Sequence, residues 1–310
     1  MTASSPDGSG LVHRALLYAS PREFLAGVLP FIDEGLHRGE PVLAVTSERN
    51  SSLLREQLGV AADDVRFVDH VRWYDAPGRT LAACHRYMRE HITGHDRVRV
   101  VGEPVWAGRD ALETAEWTRY DALVNVAFAE TPTSMLCPYD SRTVPARVVA
   151  DARRTHPWLD GGRNESYLDP AAFFAAFDKE LPPPAERPAT IGFHGDPGPV
   201  REFVAHEGRR YGLPRERVDD LVIIVNEVTT NAIRHGAGYG TVLVWREGRR
   251  LLCEVTDPGE AKGDLFGAVP PDPESDHGHG LWVARQLCDL LEIRTRQPGT
   301  TIRMHMRLPD

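Results

Sequence analysis

Residues 218–235, VDDLVIIVNEVTTNAIRH, limit the choice of fold more than any other stretch of the chain. Val218, Leu221, Val222 and Val225 recur at helical spacing, and Ile223 and Ile224 fill the other sides. This predicts a helix buried on most of its faces. Pro214 suits the entry to such a helix and Gly236 suits its end. Two polar residues, Glu227 and Asn231, interrupt the apolar run near its far end. Four residues apart, they share one helix face. Taken alone, the pair reads more readily as hydrogen-bonded polar residues closing a buried helix than as a site.

The helix belongs to the second half of a 310-residue chain that is 41% hydrophobic and 26% charged, an ordinary globular balance. The length suits two domains, each large enough to bury its own core. A net charge of -9 argues against a general nucleic-acid or anionic-membrane surface. Cys84, Cys137, Cys253 and Cys288 are scattered with no CxxC pair. They fit reduced thiols of a cytoplasmic protein better than a disulfide framework or a zinc site. The first ten residues, MTASSPDGSG, carry no basic-then-apolar signal, and no apolar run approaches the ~18 residues of a membrane span. The expectation is a soluble cytoplasmic protein with no nucleic-acid or membrane partner.

Residues 1–10 read as a disordered tail. Apolar stretches at 15–18, 41–45, 65–68, 98–101 and 134–137 then alternate with helical patterns at 21–37, 52–58, 80–91, 111–128 and 145–155. Strands separated by helices predict an α/β domain with a mostly parallel sheet covered on both sides. It carries neither a GxxxxGK[ST] phosphate loop nor a GxGxxG turn. The loop GEPVWAGR, 102–109, follows a predicted strand, and open α/β sheets bind ligands at the carboxyl ends of their strands. Glu103, Trp106 and Arg109 are therefore candidates for a sensory pocket. The simpler reading is a loop in which Trp106 packs and Arg109 pairs with an acid.

At 181–190 the texture changes to LPPPAERPAT, an extended, semi-rigid connector. The expected organisation is a first domain over 11–180, a proline-rich linker over 181–188 and a second domain over 189–310. In the second, a strand at 189–194 and a helix at 200–211 precede the 218–235 helix. A hairpin of strands 241–245 and 251–256 follows, then a polar loop at 258–276 and a helix at 281–291. Strands 292–296 and 301–306 pair around Pro298-Gly299. Helices set apart from antiparallel strands make this an α+β layered domain.

Three short motifs join the helix pair. Asp257-Pro258-Gly259 ends a hairpin strand: the carboxylate can accept a hydrogen bond from an exocyclic amine, and the glycine lets backbone approach a flat ring. Gly278-His279-Gly280-Leu281 opens a helix, where free backbone N–H groups can hold phosphate. Gly299-Thr300-Thr301 leads the last strand with a hydroxyl. Each motif is weak alone. His156, followed by Pro157, lacks the setting of a phosphoacceptor histidine on a dimerisation helix. Neither His277 with His279 nor the set His85, His91 and His95 has metal-ligand spacing.

In combination, ExxxN on a helix, DxG after a hairpin, a long loop, GxGL opening a helix and GTT on a strand resemble the GHKL ATPases over 189–310. The run 226–236, NEVTTNAIRHG, looks most like their anti-sigma-factor serine kinase branch, the RsbW-like proteins. That resemblance implies an α+β GHKL (Bergerat) sandwich with ATP and Mg²⁺ as cofactors. It implies Asn231 as the Mg²⁺ ligand, Asp257 as the reader of the adenine amine, Gly259 beneath the ring and Thr301 in support. It implies Gly278 and Gly280 as the phosphate cradle and Glu227 as the general base. Implied partners are a sigma factor and an anti-anti-sigma (STAS) protein phosphorylated on serine; the alternative is ATP-dependent partner switching without phosphotransfer. Ala261 stands where many relatives have a further glycine, and His279 where many have Arg. In the first half, HRALLY at 13–18, EGL at 34–36 with GEPVL at 39–43, GEPVWAGR, and LCPYD at 136–140 resemble the MEDS sensory domain. This implies an unidentified small-molecule signal at the N-terminal domain. Self-association as a homodimer is left open.

Overall fold

The computed structural model describes residues 10–159, 162–259, 267–271, 279–295 and 299–309, apart from the side chains of Phe177 and His279. The chain divides into two compact units, 1–75 with 80–174 and 76–79 with 175–310.

The first unit is built on strands β1 (Val12–Tyr18), β2 (Val42–Thr46), β3 (Val65–Asp69), β4 (Val98–Gly102), β5 (Thr133–Asp140), β6 (Trp158–Leu159) and β7 (Gly162–Arg163). Their order is β3-β2-β4-β5-β1-β6-β7. Every pairing is parallel except β6 with β7. The helices of this part of the chain are α1 (Pro21–His37), α2 (Glu48–Leu58), α3 (His70–Trp73), α4 (Pro77–His91), α5 (Ala111–Ala127), α6 (Ala146–Thr155) and α7 (Pro170–Phe177).

Strands β2 and β4 are buried at every residue, which is why they read as unbroken apolar runs. The exception, Arg99, is paired with Glu40 and with Glu34 at 3.0 Å. Burying that guanidinium without partners would cost several kcal/mol. Helix α1 starts where the Ser20 hydroxyl accepts from the Glu23 amide, and it buries Phe24, Val28, Phe31 and Ile32 at helical spacing. Helix α5 opens on an Asp110–Glu113 capping box and is buried at every residue from Glu116 to Val124. Its charges are accordingly partnered. Arg119 meets Glu116 at 3.1 Å, and Asp121 accepts from the Tyr139 hydroxyl at 2.7 Å. Strands β6 and β7 are too short to show periodicity and were not expected.

The second unit has strands β8 (Ala189–His194), β9 (Tyr239–Glu247), β10 (Arg250–Asp257), β11 (Leu290–Arg294) and β12 (Thr300–Arg307). They form one antiparallel sheet, β11-β12-β10-β9-β8. Helices α8 (Gly198–Arg210), α9 (Arg215–His235) and α10 (His279–Leu287) share a core with one face of it. Val218, Leu221, Ile224, Val225, Val228 and Ala232 of α9 enter that core with Val242, Val244, Val255 and Met304. Ile223 is 47% exposed, so α9 is buried along one face rather than on most of them.

The opposite sheet face holds buried Trp245, Glu254, Glu292, Arg303 and His305. Arg303 bonds Glu254 at 2.8 Å and lies 5.0 Å over the Trp245 ring. It also donates to the Pro182 carbonyl at 2.8 Å, so the proline-rich segment is tied to the sheet of its own unit. The helix expected over 281–291 ends at Leu287. Leu290 and Leu291 belong to β11, because the Asp289 carboxylate accepts from the Arg307 amide and the Arg217 guanidinium and starts the pairing with β12.

Candidate functional site

Four segments of the second unit meet around the end of α9. Glu227 and Asn231 lie half-buried, one turn apart, on this helix. The start of α10 presses against both: a Cβ on Gly280 would lie 2.9 Å from Glu227 Oε2 and 3.0 Å from Asn231 Nδ2. Only glycine lets the backbone come this close without moving those side chains. The other Glu227 oxygen, Oε1, accepts from the Asn226 amide at 3.4 Å, and Asn226 Oδ1 accepts from Arg201 at 2.9 Å.

Asp257 closes β10 with its carboxylate buried. Its Oδ1 accepts from the Gly259 amide at 2.7 Å and from the Ala237 amide at 3.2 Å, joining the strand end to the chain leaving α9. Among the described residues, Oδ2 makes no hydrogen bond. Gly236 and Gly259 are packed on this carboxylate: a Cβ would lie 2.4 Å from Oδ1 at Gly236 and 2.6 Å from it at Gly259. Gly299, at φ 124°, meets the Asp257 carbonyl in the same way, and few residues but glycine adopt that φ.

Register decides the part played by the last strand. Thr300 pairs opposite Asp257, and its hydroxyl donates to the Gly259 carbonyl at 3.2 Å. Thr301 pairs opposite Thr256, with their hydroxyls 3.5 Å apart. Adjacent strand residues face opposite ways. Thr300 is therefore the threonine on the Asp257 side, and Thr301, singled out from sequence, is on the other. Only the strand's register reveals this. Gly278 and Ala261 lie outside the described residues, as does the His279 side chain.

The residues present fit a magnesium nucleotide. Gly236, Gly259, Gly280 and Gly299 let the backbone close tightly around Asp257, Glu227 and Asn231, one oxygen of the Asp257 carboxylate meets no protein donor among the described residues, and a carboxylate and a carboxamide stand one turn apart.

In the first unit the structure separates the three candidate pocket residues. Glu103 Oε1 accepts from Asn50 at 2.8 Å and Tyr18 at 3.1 Å, and Oε2 accepts from the Ser47 amide at 2.8 Å. With Arg49 and Arg142 it lines a cavity of about 140 Å³ past the ends of β1, β2, β4 and β5. Burial, then the neighbouring Glu103 carboxylate, push the Tyr18 hydroxyl far above its ordinary range. Trp106 does not line this cavity; it is buried and stacks 6.1 Å from Tyr139. Arg109 braces the loop instead, donating to the Val105 and Tyr74 carbonyls and lying 4.2 Å over Trp117.

Both units have recognisable relatives. Residues 12–157 match the MEDS family, the methanogen/methylotroph, DcmR sensory domain. Residues 196–306 match the histidine kinase-like ATPase domain. The chain is a MEDS sensory domain joined to a GHKL-type ATPase domain, an α/β domain with a largely parallel sheet followed by an α+β domain. No curated protein matches it at a significant level. Among solved structures, the RsbU and RsbW domains of a Mycobacterium tuberculosis protein are similar at 19% identity and a TM-score of 0.29. The match covers 39% of this chain and 32% of that one. Among the described residues, no helix is long and apolar enough to cross a membrane.

Proposed function

We propose that the second unit binds ATP with Mg²⁺ and phosphorylates a serine of an anti-anti-sigma STAS protein. In its other state it sequesters a sigma factor, and the MEDS domain controls the switch. The observation that carries the reading is the approach of Gly280 to both Glu227 and Asn231, beside an Asp257 carboxylate held by Gly259 and Ala237. The choice of partners rests on the resemblance of 226–236 to the anti-sigma kinases.

Asp257 Oδ2 accepts a hydrogen bond from the adenine amine while Oδ1 stays engaged with backbone. Gly236 and Gly259 let the backbone close on Oδ1 and so aim Oδ2, and Thr300 holds the Gly259 carbonyl in place. The Asn231 carboxamide oxygen holds Mg²⁺. Bound Mg·ATP supplies the transferable phosphoryl group. Glu227, half-buried and one turn from the metal ligand, takes the proton of the incoming serine hydroxyl.

Incubation of the full chain with Mg·ATP and a STAS protein from the same genome tests this. Phosphoserine on the STAS protein is expected with wild type and is lost in Glu227→Gln, which still binds ATP. If wild type binds ATP and labels no such protein, phosphotransfer is wrong and ATP-dependent partner switching stands in its place.

A further inference from the structure

The nucleotide reading leaves unused a buried polar cluster of the first unit. His13 on β1, Cys137 on β5 and His156 just after α6 are 1%, 8% and 0% exposed. Ala15 pairs opposite Cys137, which sets His13 and Cys137 as diagonal neighbours on one sheet face. One nitrogen of each imidazole and the Cys137 sulfur lie within 4.8 Å of one another.

The surrounding hydrogen bonds fix both tautomers. The Asn125 Nδ2 group donates to the Thr155 carbonyl at 2.7 Å and the Asp121 carbonyl at 3.3 Å, so Asn125 Oδ1 is turned towards His13. That oxygen can only accept, so His13 Nδ1, 3.0 Å away, carries the proton. His13 Nε2 then presents a lone pair, 3.4 Å from Cys137 Sγ. In His156, Nδ1 lies 2.9 Å from the Ala152 carbonyl and is likewise the protonated nitrogen. Its Nε2 is fully buried and has no partner among the described residues. A buried ring nitrogen with an unused lone pair is costly unless something takes it up.

The geometry points to a transition-metal site in which His13 Nε2, His156 Nε2 and the Cys137 thiolate bind a late first-row cation of the Zn²⁺ type. Imidazole and thiolate together suit that class. A tetrahedral ion at about 2.05 Å from nitrogen and 2.3 Å from sulfur holds N and S roughly 3.6 Å apart, close to the separation of His13 Nε2 and Cys137 Sγ. Asn125 and the Ala152 carbonyl act as the outer partners that aim the two rings. Binding breaks the Cys137 S–H bond, forms the sulfur–metal bond and releases one proton to solvent. Three protein donors leave a fourth position for a small ligand. Sequence spacing could not show this site, since its members come from three distant segments.

The test uses the full chain, refolded with Co²⁺ because the donors are buried, and without nucleotide. The expected result is one Co²⁺ per chain, a thiolate-to-cobalt charge-transfer band, and loss of that band when Zn²⁺ displaces the ion. Cys137→Ser is expected to abolish the band and His156→Gln to weaken binding by more than about tenfold. Cys84→Ser leaves it unchanged. Far-UV circular dichroism of the metal-free variants checks that they fold. Should they not, release of one proton per ion by wild type in weak buffer decides the matter. A wild type that gives no such band, releases no proton, or keeps the band in a folded Cys137→Ser protein overturns the assignment.

Discussion

A methyl group at Gly280 would fall 2.9 Å from Glu227 Oε2, the free end of a flexible side chain. Gly280→Ala must swing that carboxylate aside and also displace Asn231 Nδ2 at 3.0 Å and the less movable Glu227 Cβ at 3.1 Å by a few tenths of an ångström. Its unfolding midpoint is predicted to fall slightly below wild type, while phosphotransfer falls at least about tenfold because the base is misplaced. A variant that keeps full transfer would remove Gly280 from the site. Asp121 carries a different prediction. Burial raises its carboxyl from 3.8 to about 7. Folding thus favours the protonated form, a stabilisation complete below the unfolded value and lost as pH rises through the folded one. Between about pH 4 and about pH 7, wild type should lose stability relative to Asp121→Asn, and urea midpoints at several pH values would show it. A constant difference would mean that Asp121 ionises normally. Glu227 and Asn231 were legible because helical spacing alone puts them on one face. Thr300 was not, because the face a strand residue occupies depends on where its partner begins.

The helix α9 and the strand β11 show the same limit one level up. Helix α9 could be read because its apolar residues repeat over several turns, but its outer face was misjudged at Ile223. A β-branched residue beside Ile224 looks equally buried in a list of letters. The structure makes them opposites, with Ile224 fully buried and Ile223 47% exposed. Ile224→Ala is predicted to cost about 2–5 kcal/mol, Ile223→Ala well under about 1 kcal/mol, measured by urea unfolding of the second unit. Equal costs would mean that α9 is covered on both sides. The run LWVARQLCDLLEI is apolar enough to continue as a helix to Leu291. Its end at Leu287 comes from tertiary pairing, with Asp289 held by Arg307 and Arg217. No local propensity encodes that.

At the scale of the whole chain, alternation of strand and helix against hairpins and clustered helices was enough to separate an α/β half from an α+β half. The order of sheet strands was out of reach, and with it the meeting of His13, Cys137 and His156. Of the sensory candidates, Glu103 lines the cavity past the ends of β1, β2, β4 and β5, whereas Trp106 stacks on Tyr139 and Arg109 donates to loop carbonyls. The central claim concerns the second unit, that Asp257 reads an adenine beside Glu227 and Asn231. Calorimetric titration of Mg·ATP into wild type and Asp257→Asn tests it most directly. An asparagine can still accept from Gly259 and Ala237, but it then turns an NH₂ group towards the adenine amine. ATP affinity is predicted to fall at least about tenfold, in line with an unmet polar contact of roughly 1–3 kcal/mol. An affinity equal to wild type would contradict the account.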